Sequence, residues 1–177
     1  MRLTITLFIF SVFCISQKNY TQDLKIDKPN FIIYIADDHN YQDYEINGNY
    51  DVQTSAVKKL AAEGITFNNA YTSQAICAPS RSQLYTGLYP MKNGVMANHL
   101  PTKNVADIND FLAEIGYEVV LAGKGHVKPK SVYNWTKFIP IKFEQNFISD
   151  DNQKNDFIQR IDNYFKNNNK PFCLIVA

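Results

Sequence analysis

Apolar residues along this chain fall into continuous runs separated by segments with helical spacing. Runs at residues 30–36, 117–122 and 172–176 predict three strands. The first and last of these have the β-rich composition of strands buried on both faces of a parallel sheet. A shorter run at 65–71 predicts a further strand.

The intervening segments predict three helices. The first is capped by Thr54 and runs to about Glu63. The second begins around Asp107, and the third spans roughly 153–167. The positions expected to face inward are Val57, Leu60, Ala61, Ile108, Phe111, Leu112, Ile115, Phe157, Ile158, Ile161, Tyr164 and Phe165. Strands that alternate with helices indicate an α/β fold with a mostly parallel sheet.

The N-terminus predicts a signal peptide at residues 1–16, followed by a polar arm at 17–28. The apolar run at 3–15 is too short to span a bilayer, so we expect no stable membrane span. Cleavage before Gln17 is favoured over a buried strand or a lipid attached to Cys14. The segment therefore predicts passage through the secretory route, to a secreted, periplasmic or lysosome-like compartment.

Charge and cysteine content argue against a nucleic-acid-binding protein and against a disulfide-rich scaffold. The 177 residues contain 18 lysines and arginines against 17 aspartates and glutamates, a net charge of +1. A nucleic-acid-binding domain would normally be strongly basic, so we expect no nucleic-acid partner. The three cysteines are too few for a disulfide scaffold.

Charged residues follow two of the predicted strands directly. Asp37 and Asp38 end the first run, while Lys124 and His126 follow the second. Ligands of parallel sheets bind at the carboxyl ends of the strands, so these groups are expected to converge. Adjacent carboxylates repel each other unless a cation compensates, and calcium or magnesium prefers such oxygens. A solvated turn is the alternative interpretation of the aspartate pair.

The segment Cys77-Ala78-Pro79-Ser80-Arg81 is the most specific motif. Proline suits the first turn of a helix, which places Cys77 at a helix N-terminus where backbone donors favour an anion. Arg81 comes four residues later and lies on the same side of that helix. A buried structural cysteine, or a conventional thiol nucleophile paired with His99 or His126, are the alternatives.

These motifs resemble the signatures of type I sulfatases, members of the alkaline phosphatase superfamily in which the C-x-P-S-R cysteine is oxidised to formylglycine. Residues 30–38, 67–77 and 116–126 resemble three ordered segments of that family. The resemblance covers 29–177 and implies a mostly parallel sheet sandwiched by helices. It also implies that 29–177 is the N-terminal part of a catalytic domain that is incomplete at its C-terminus.

The resemblance also implies roles for individual residues. Asp37, Asp38 and the modified Cys77 would bind calcium, and a separate maturation enzyme would convert Cys77 to formylglycine. Arg81 would support the hydrated formylglycine, and Lys124 would contact it together with a sulfate oxygen. His126 would assist proton transfer. The hydrated side chain would attack sulfur and then expel sulfate, in two steps of covalent catalysis.

The substrate class follows from the same resemblance. Sulfated sugars or glycosaminoglycan-type substrates are expected, with either a sulfate ester or a sulfamate bond. The branch that looks most similar is heparan N-sulfatase, on Gly123, Lys124, His126, Val127, Pro129, Val132 and Tyr133. The alternatives are a phosphonate or phosphate ester hydrolase of the same superfamily, or an inactive truncated sulfatase with little activity of its own.

Some residues depart from the pattern or stand outside it. Val119, Gly125 and Tyr85 occupy positions where the family signatures usually have other residue types. None of the three replaces a catalytic group. His39 is expected near the surface of the site, and His99 is a weaker candidate for facing the substrate.

Overall fold

One parallel sheet organises the chain. The computed structural model describes residues 28–141, 148, 150–166 and 168–177, so the predicted signal peptide lies outside the described residues. In this part of the chain four strands pair in the order β1-β4-β2-β3, all parallel. The strands are β1 (Phe31–Tyr34), β2 (Glu118–Gly123), β3 (Lys137–Pro140) and β4 (Phe172–Val176). The α/β fold with a parallel sheet is therefore confirmed.

Helices cover both faces of this sheet. They are α1 (Ser55–Glu63), α2 (Cys77–Thr86), α3 (Pro90–Asn93), α4 (Ile108–Glu114) and α5 (Asp151–Phe165), with short 3-10 turns at Tyr41–Asp43 and Glu45–Asn47. The three helices predicted from spacing are confirmed as α1, α4 and α5. Helix α5 starts two residues before the predicted boundary because Asp150 caps it, accepting a hydrogen bond from the Gln153 backbone.

The core lies on both sides of β2 and β4. Successive residues of a strand point to opposite faces, and every residue from Val119 to Ala122 is at most 1% exposed. One face packs against residues of α2 and α4, including Tyr85 and Leu112. The other packs against α5 through Phe157. Burial on two faces explains why these two central strands are continuously apolar.

Two strand predictions need correction. The run at 30–36 is a strand only at 31–34, and it is not buried on both faces. Among the described strands β1 pairs only with β4 and lies at the sheet edge, and its Ile32 and Tyr34 side chains are 69% and 71% exposed. The predicted strand at 65–71 is wrong, since no strand forms there. The segment is apolar enough to form a strand, but no described strand pairs with it.

The predicted inward faces of the helices are only partly correct. In α1 no residue is buried, and Leu60 is 70% exposed. Phe111, Ile115 and Ile158 are also exposed, whereas Ile108 and Leu112 pack on the core and Phe157 is buried within it. Among the described residues, no helix combines the length and apolarity needed to cross a bilayer.

Candidate active site

The carboxyl ends of β1 and β2 carry the opposite charges of the site. These strands flank β4 and are therefore about 10 Å apart, which a lysine side chain and a carboxylate can bridge together. Lys124 Nζ lies 2.6 Å from Asp37 Oδ2. The convergence expected from the sequence, across 86 positions between Asp38 and Lys124, is what the structure contains.

Gly123 sets the direction in which the chain leaves β2. Its φ is +103°, and a Cβ at this position would come within 1.9 Å of the Ala177 carbonyl oxygen. Any larger residue is therefore excluded by both conformation and space. The next backbone amide, that of Lys124, donates to the same oxygen at 2.6 Å. This close approach of two backbones fixes where the Lys124 side chain begins.

Helix α2 begins at Cys77, with Pro79 in its first turn as predicted. The segment that precedes His99 holds this helix end, because Asn98 Oδ1 accepts from the Ala78 amide at 3.0 Å. That amide is one of the four that a helix N-terminus leaves without an internal partner. Cys77 Sγ lies 3.8 Å from Lys124 Nζ and 3.9 Å from Asp38 Oδ1. The cysteine thus stands between a cation and a carboxylate.

Arg81 is the buried cation of the site, with only 4% of its side chain exposed. Its Nη2 lies 3.2 Å from Asp37 Oδ1, and its Nη1 donates to the Lys124 carbonyl oxygen at 3.1 Å. Burial by itself would raise the pKa of Asp37, but hydrogen bonds and charges from Lys124 and Arg81 outweigh it and hold that pKa below its ordinary value. Asp37 is therefore ionised at neutral pH and joins the two cations.

The carboxylate oxygens of Asp37 and Asp38, which cluster with the Cys77 sulfur, suit a hard divalent cation. The ligand atoms of the three residues lie within 4.8 Å of one another. Two of the three residues offer carboxylate oxygens, which calcium prefers over nitrogen or sulfur. Calcium takes about 6–8 oxygens, so this cluster fits the ion in donor type and supplies part of its shell. An open cleft of about 390 Å³ lies over the cluster and is also lined by His39, Asn40, Ser80 and Arg81.

His126 does not line this cleft and faces His99. The two rings are 6.0 Å apart and line a second cavity of about 150 Å³ with Leu100 and Lys128. Burial lowers the pKa of His126, and the nearby charges of Lys124 and Arg81 lower it further. Its Nδ1 is buried and has no hydrogen-bond partner among the described residues. His126 is therefore neutral at pH 7 and able to accept a proton.

Three chemistry-bearing residues have left-handed backbone conformations. The φ angles are +51° for Asp38, +70° for His99 and +49° for His126, and within the described residues no other non-glycine residue has a positive φ. Side chains rarely adopt this region, and each such residue costs on the order of 1–3 kcal/mol. Strain of this kind concentrates at functional sites, which supports treating His99 as part of the site.

The departures from the family pattern have local explanations. Tyr85 is 2% exposed and packs edge-on against Trp135, so the aromatic ring fills core space behind the site. Val119 is likewise buried within β2. A Cβ on Gly125 would meet the Phe138 ring at an ordinary 3.5 Å, so the described neighbours do not require glycine there.

Sequence reasoning missed the residues that support this site from behind. Asn98 has no periodic or motif signal, although it satisfies an amide of α2. Ser82, Thr102 and Tyr133 form a buried set of hydroxyl contacts between distant parts of the chain. Isolated hydroxyl residues are common in any sequence, and only the fold brings these three together.

Comparisons with known proteins agree on one family. The family model described as Sulfatase matches residues 29–177. An ulvan-active sulfatase of Formosa agariphila is 48% identical over 154 residues, covering 85% of this chain and 30% of that protein. An N-acetylglucosamine-6-O-sulfatase of Bacteroides thetaiotaomicron is 28% identical over 171 residues, covering 84% and 30%. This chain thus spans about a third of the length of these relatives.

Solved structures give the same result for the fold. The structure described as BT1596, a 2-O GAG sulfatase, is similar with a TM-score of 0.66 and 26% identity, covering 84% of this chain and 34% of that one. The structure of BT4656 in complex with its substrate D-glucosamine-2-N,6-O-disulfate has a TM-score of 0.71 at 24% identity, with the same coverage. The second likeness concerns the fold alone.

Proposed function

The chain belongs to the sulfatase family, and from this we propose that the protein removes sulfate groups from sulfated sugars. The observation that carries the proposal is the position of Cys77, at a helix N-terminus and 3.8 Å from Lys124 Nζ. Relatives whose names specify ulvan and N-acetylglucosamine 6-O-sulfate support a carbohydrate substrate.

Cys77 is proposed to become formylglycine through a maturation enzyme. When present, the hydrated aldehyde supplies one hydroxyl that can attack sulfur and a second that can later expel sulfate. The role of the chain itself is electrostatic. The side chain at position 77 lies where Lys124 and the helix N-terminus both favour negative charge, such as develops on sulfate oxygens during transfer.

Asp37 and Asp38, together with the oxygen at position 77 after conversion, are proposed to hold calcium. A bound calcium ion would add positive charge beside the sulfate. Lys124 Nζ reaches both Asp37 and Cys77, so it is placed to contact a sulfate oxygen next to position 77. Arg81 is buried and keeps Asp37 ionised and oriented.

His126 is proposed as the proton-transfer residue. Because its pKa is lowered by burial and by the cations around it, it is neutral at pH 7 and can take up a proton. It shares a second cavity with His99 and with Ala78, the residue that follows Cys77. This position suits contact with the leaving part of a substrate whose sulfate is held at Cys77.

Mass spectrometry of the peptide that contains Cys77 tests the proposal first. The full-length protein is expressed with and without a formylglycine-generating enzyme, and we expect replacement of the thiol by an aldehyde only when that enzyme is present. Cys173 is buried in β4 and provides the internal control, since it remains a thiol in both samples. The same spectra identify the mature N-terminus, which we propose is Gln17 after export.

Activity is then measured in parallel on O-sulfated sugars, N-sulfated sugars and the matching phosphate esters. We expect turnover of a sulfated sugar that is lost in the Cys77→Ala variant and after calcium removal. A protein that retains its Cys77 thiol and hydrolyses only phosphate esters would contradict the proposal. The ratio between the O-sulfate and N-sulfate rates separates a sulfate ester from a sulfamate substrate.

A further inference from the structure

Three buried hydroxyl groups meet behind the site. Ser82 Oγ lies 2.7 Å from Tyr133 OH and 3.1 Å from Thr102 Oγ1, and the last two atoms are 2.7 Å apart. Ser82 is fully buried, Tyr133 is 3% exposed and Thr102 is 5% exposed. Each hydroxyl has one proton to donate, so a closed ring in which each donates to the next satisfies all three.

The three residues come from three different segments, which we call the site segments. Ser82 lies in α2, directly after Arg81 and five residues after Cys77. Thr102 ends the segment with Asn98 and His99, and its amide donates to the Lys128 carbonyl at 2.8 Å. Tyr133 ends the segment that begins with Lys124 and His126. Every predicted catalytic side chain therefore lies on a site segment that reaches this ring.

We propose that Ser82, Thr102 and Tyr133 form a positioning cluster that holds Cys77 and Arg81 in register with Lys124, His126 and His99. The inference rests on the proposed function, because register matters only if these residues act together. None of the three hydroxyls lines the cleft over Cys77. They act through the segments that carry them and are not catalytic residues.

The physical basis is the cost of leaving any member unpaired. A buried hydroxyl without a partner loses its hydration and gains nothing in return, so a partly broken ring is unfavourable. The Tyr133 ring is itself fixed by packing, with the Trp135 ring 6.0 Å away at 17° and the Tyr85 ring edge-on at 6.1 Å. The phenolic oxygen is therefore held at one point, to which α2 and Thr102 are tied.

Displacement of a reacting group by about 1 Å can cost on the order of a hundredfold in rate. We therefore expect Tyr133→Phe, which removes one oxygen and keeps the ring, to lower kcat about tenfold or more with little change in KM. Ser82→Ala and Thr102→Val delete the other hydroxyls with little change in shape, and we expect similar losses. A combined variant should cost hardly more than one single change, because the ring fails as a unit.

Tyr117→Phe is the matched control. Tyr117 is also a buried tyrosine, and its hydroxyl donates to the Pro29 carbonyl at 2.8 Å, before β1 and away from the site segments. We expect this variant to lose comparable stability but to keep the wild-type kcat. Equal kcat losses in Tyr133→Phe and Tyr117→Phe would show a general effect of stability and overturn the inference.

A double-mutant cycle distinguishes positioning from general damage. In an Arg81→Ala background the Tyr133→Phe change should lower kcat less than it does in the wild type, since one of the groups it positions is absent. Fully additive losses would overturn the inference.

Denaturant unfolding supplies a readout that needs no activity. Single and combined hydroxyl deletions should be non-additive in their unfolding midpoints, and additive midpoints would show that no ring exists. A wild-type enzyme without sulfatase activity, but with non-additive midpoints, would refute the proposed function and leave the buried ring established.

Discussion

The positive and negative sides of the site belong to differently packed parts of the molecule. Arg81 and Lys124 extend from α2 and β2, which pack in the core, and their side chains are 4% and 25% exposed. Asp37 follows the edge strand β1, and its side chain is 40% exposed. We call these the packed side and the outer side.

This difference in packing indicates that the packed side fixes the position of Asp37 on the outer side. The outer side continues through α1 and residues 64–76, where large apolar side chains are exposed, such as Ile65 at 84% and Tyr71 at 88%. Within the described part of the chain few buried contacts hold it, so the position of Asp37 depends on Arg81 and Lys124. The core holds the two cations in place, and Asp37 is oriented by its contacts with them.

Truncating one leucine on each side gives the largest expected contrast. Leu121 in β2 is fully buried, and Leu121→Ala should lower the free energy of unfolding by about 2–5 kcal/mol. Leu60 in α1 is 70% exposed, and Leu60→Ala should change it by no more than about 0.5 kcal/mol. Urea unfolding of the full-length protein measures both. Comparable losses would mean that the outer side is as well packed as the core.

The sequence located β1, β2 and β4 because their apolar runs are continuous, but it did not predict β3. It could not distinguish the edge strand from the central ones, because that depends on how many neighbours each strand has. For the same reason the run at 65–71 suggested a strand that does not form. Local composition identifies a segment that could form a strand, but it does not show whether another strand lies beside it.

The charged part of the site was predictable because each group follows a strand or opens a helix. Asp37 and Lys124 meet as the topology of a parallel sheet requires. The supporting hydroxyls were not predictable. Ser82 and Tyr133 are 51 positions apart, and although Tyr133 belongs to the branch resemblance, nothing in the sequence indicates that the two hydroxyls meet. Their role exists only in the folded chain.

Removing Asp37 and removing Arg81 should have unequal effects on stability. Asp37→Ala leaves the buried Arg81 guanidinium without its carboxylate, which should cost about 1–3 kcal/mol of unfolding free energy. Arg81→Met should cost less, because the exposed Asp37 keeps both Lys124 and water. Unfolding is measured in chelator, so that no bound ion contributes. A larger loss of unfolding free energy for Arg81→Met than for Asp37→Ala would mean that Asp37 holds the cations in place, and not the reverse.

The smallest effect concerns the protonation of His126, whose pKa is lowered by burial and by the nearby cations of the packed side. Because its pKa is lowered in the folded chain, the unfolded chain takes up this proton first as the pH falls. His126 should therefore contribute stability above the unfolded pKa of 6.5 that is lost as the pH falls below it toward the folded value. The His126→Gln variant should show a weaker pH dependence of unfolding across this window.

In an NMR titration, Lys124→Met should raise the His126 midpoint because a nearby cation is gone, whereas Lys154→Met on α5 should leave it in place. A wild-type midpoint at or above 6.5 would mean that the packed side does not disfavour the charged ring.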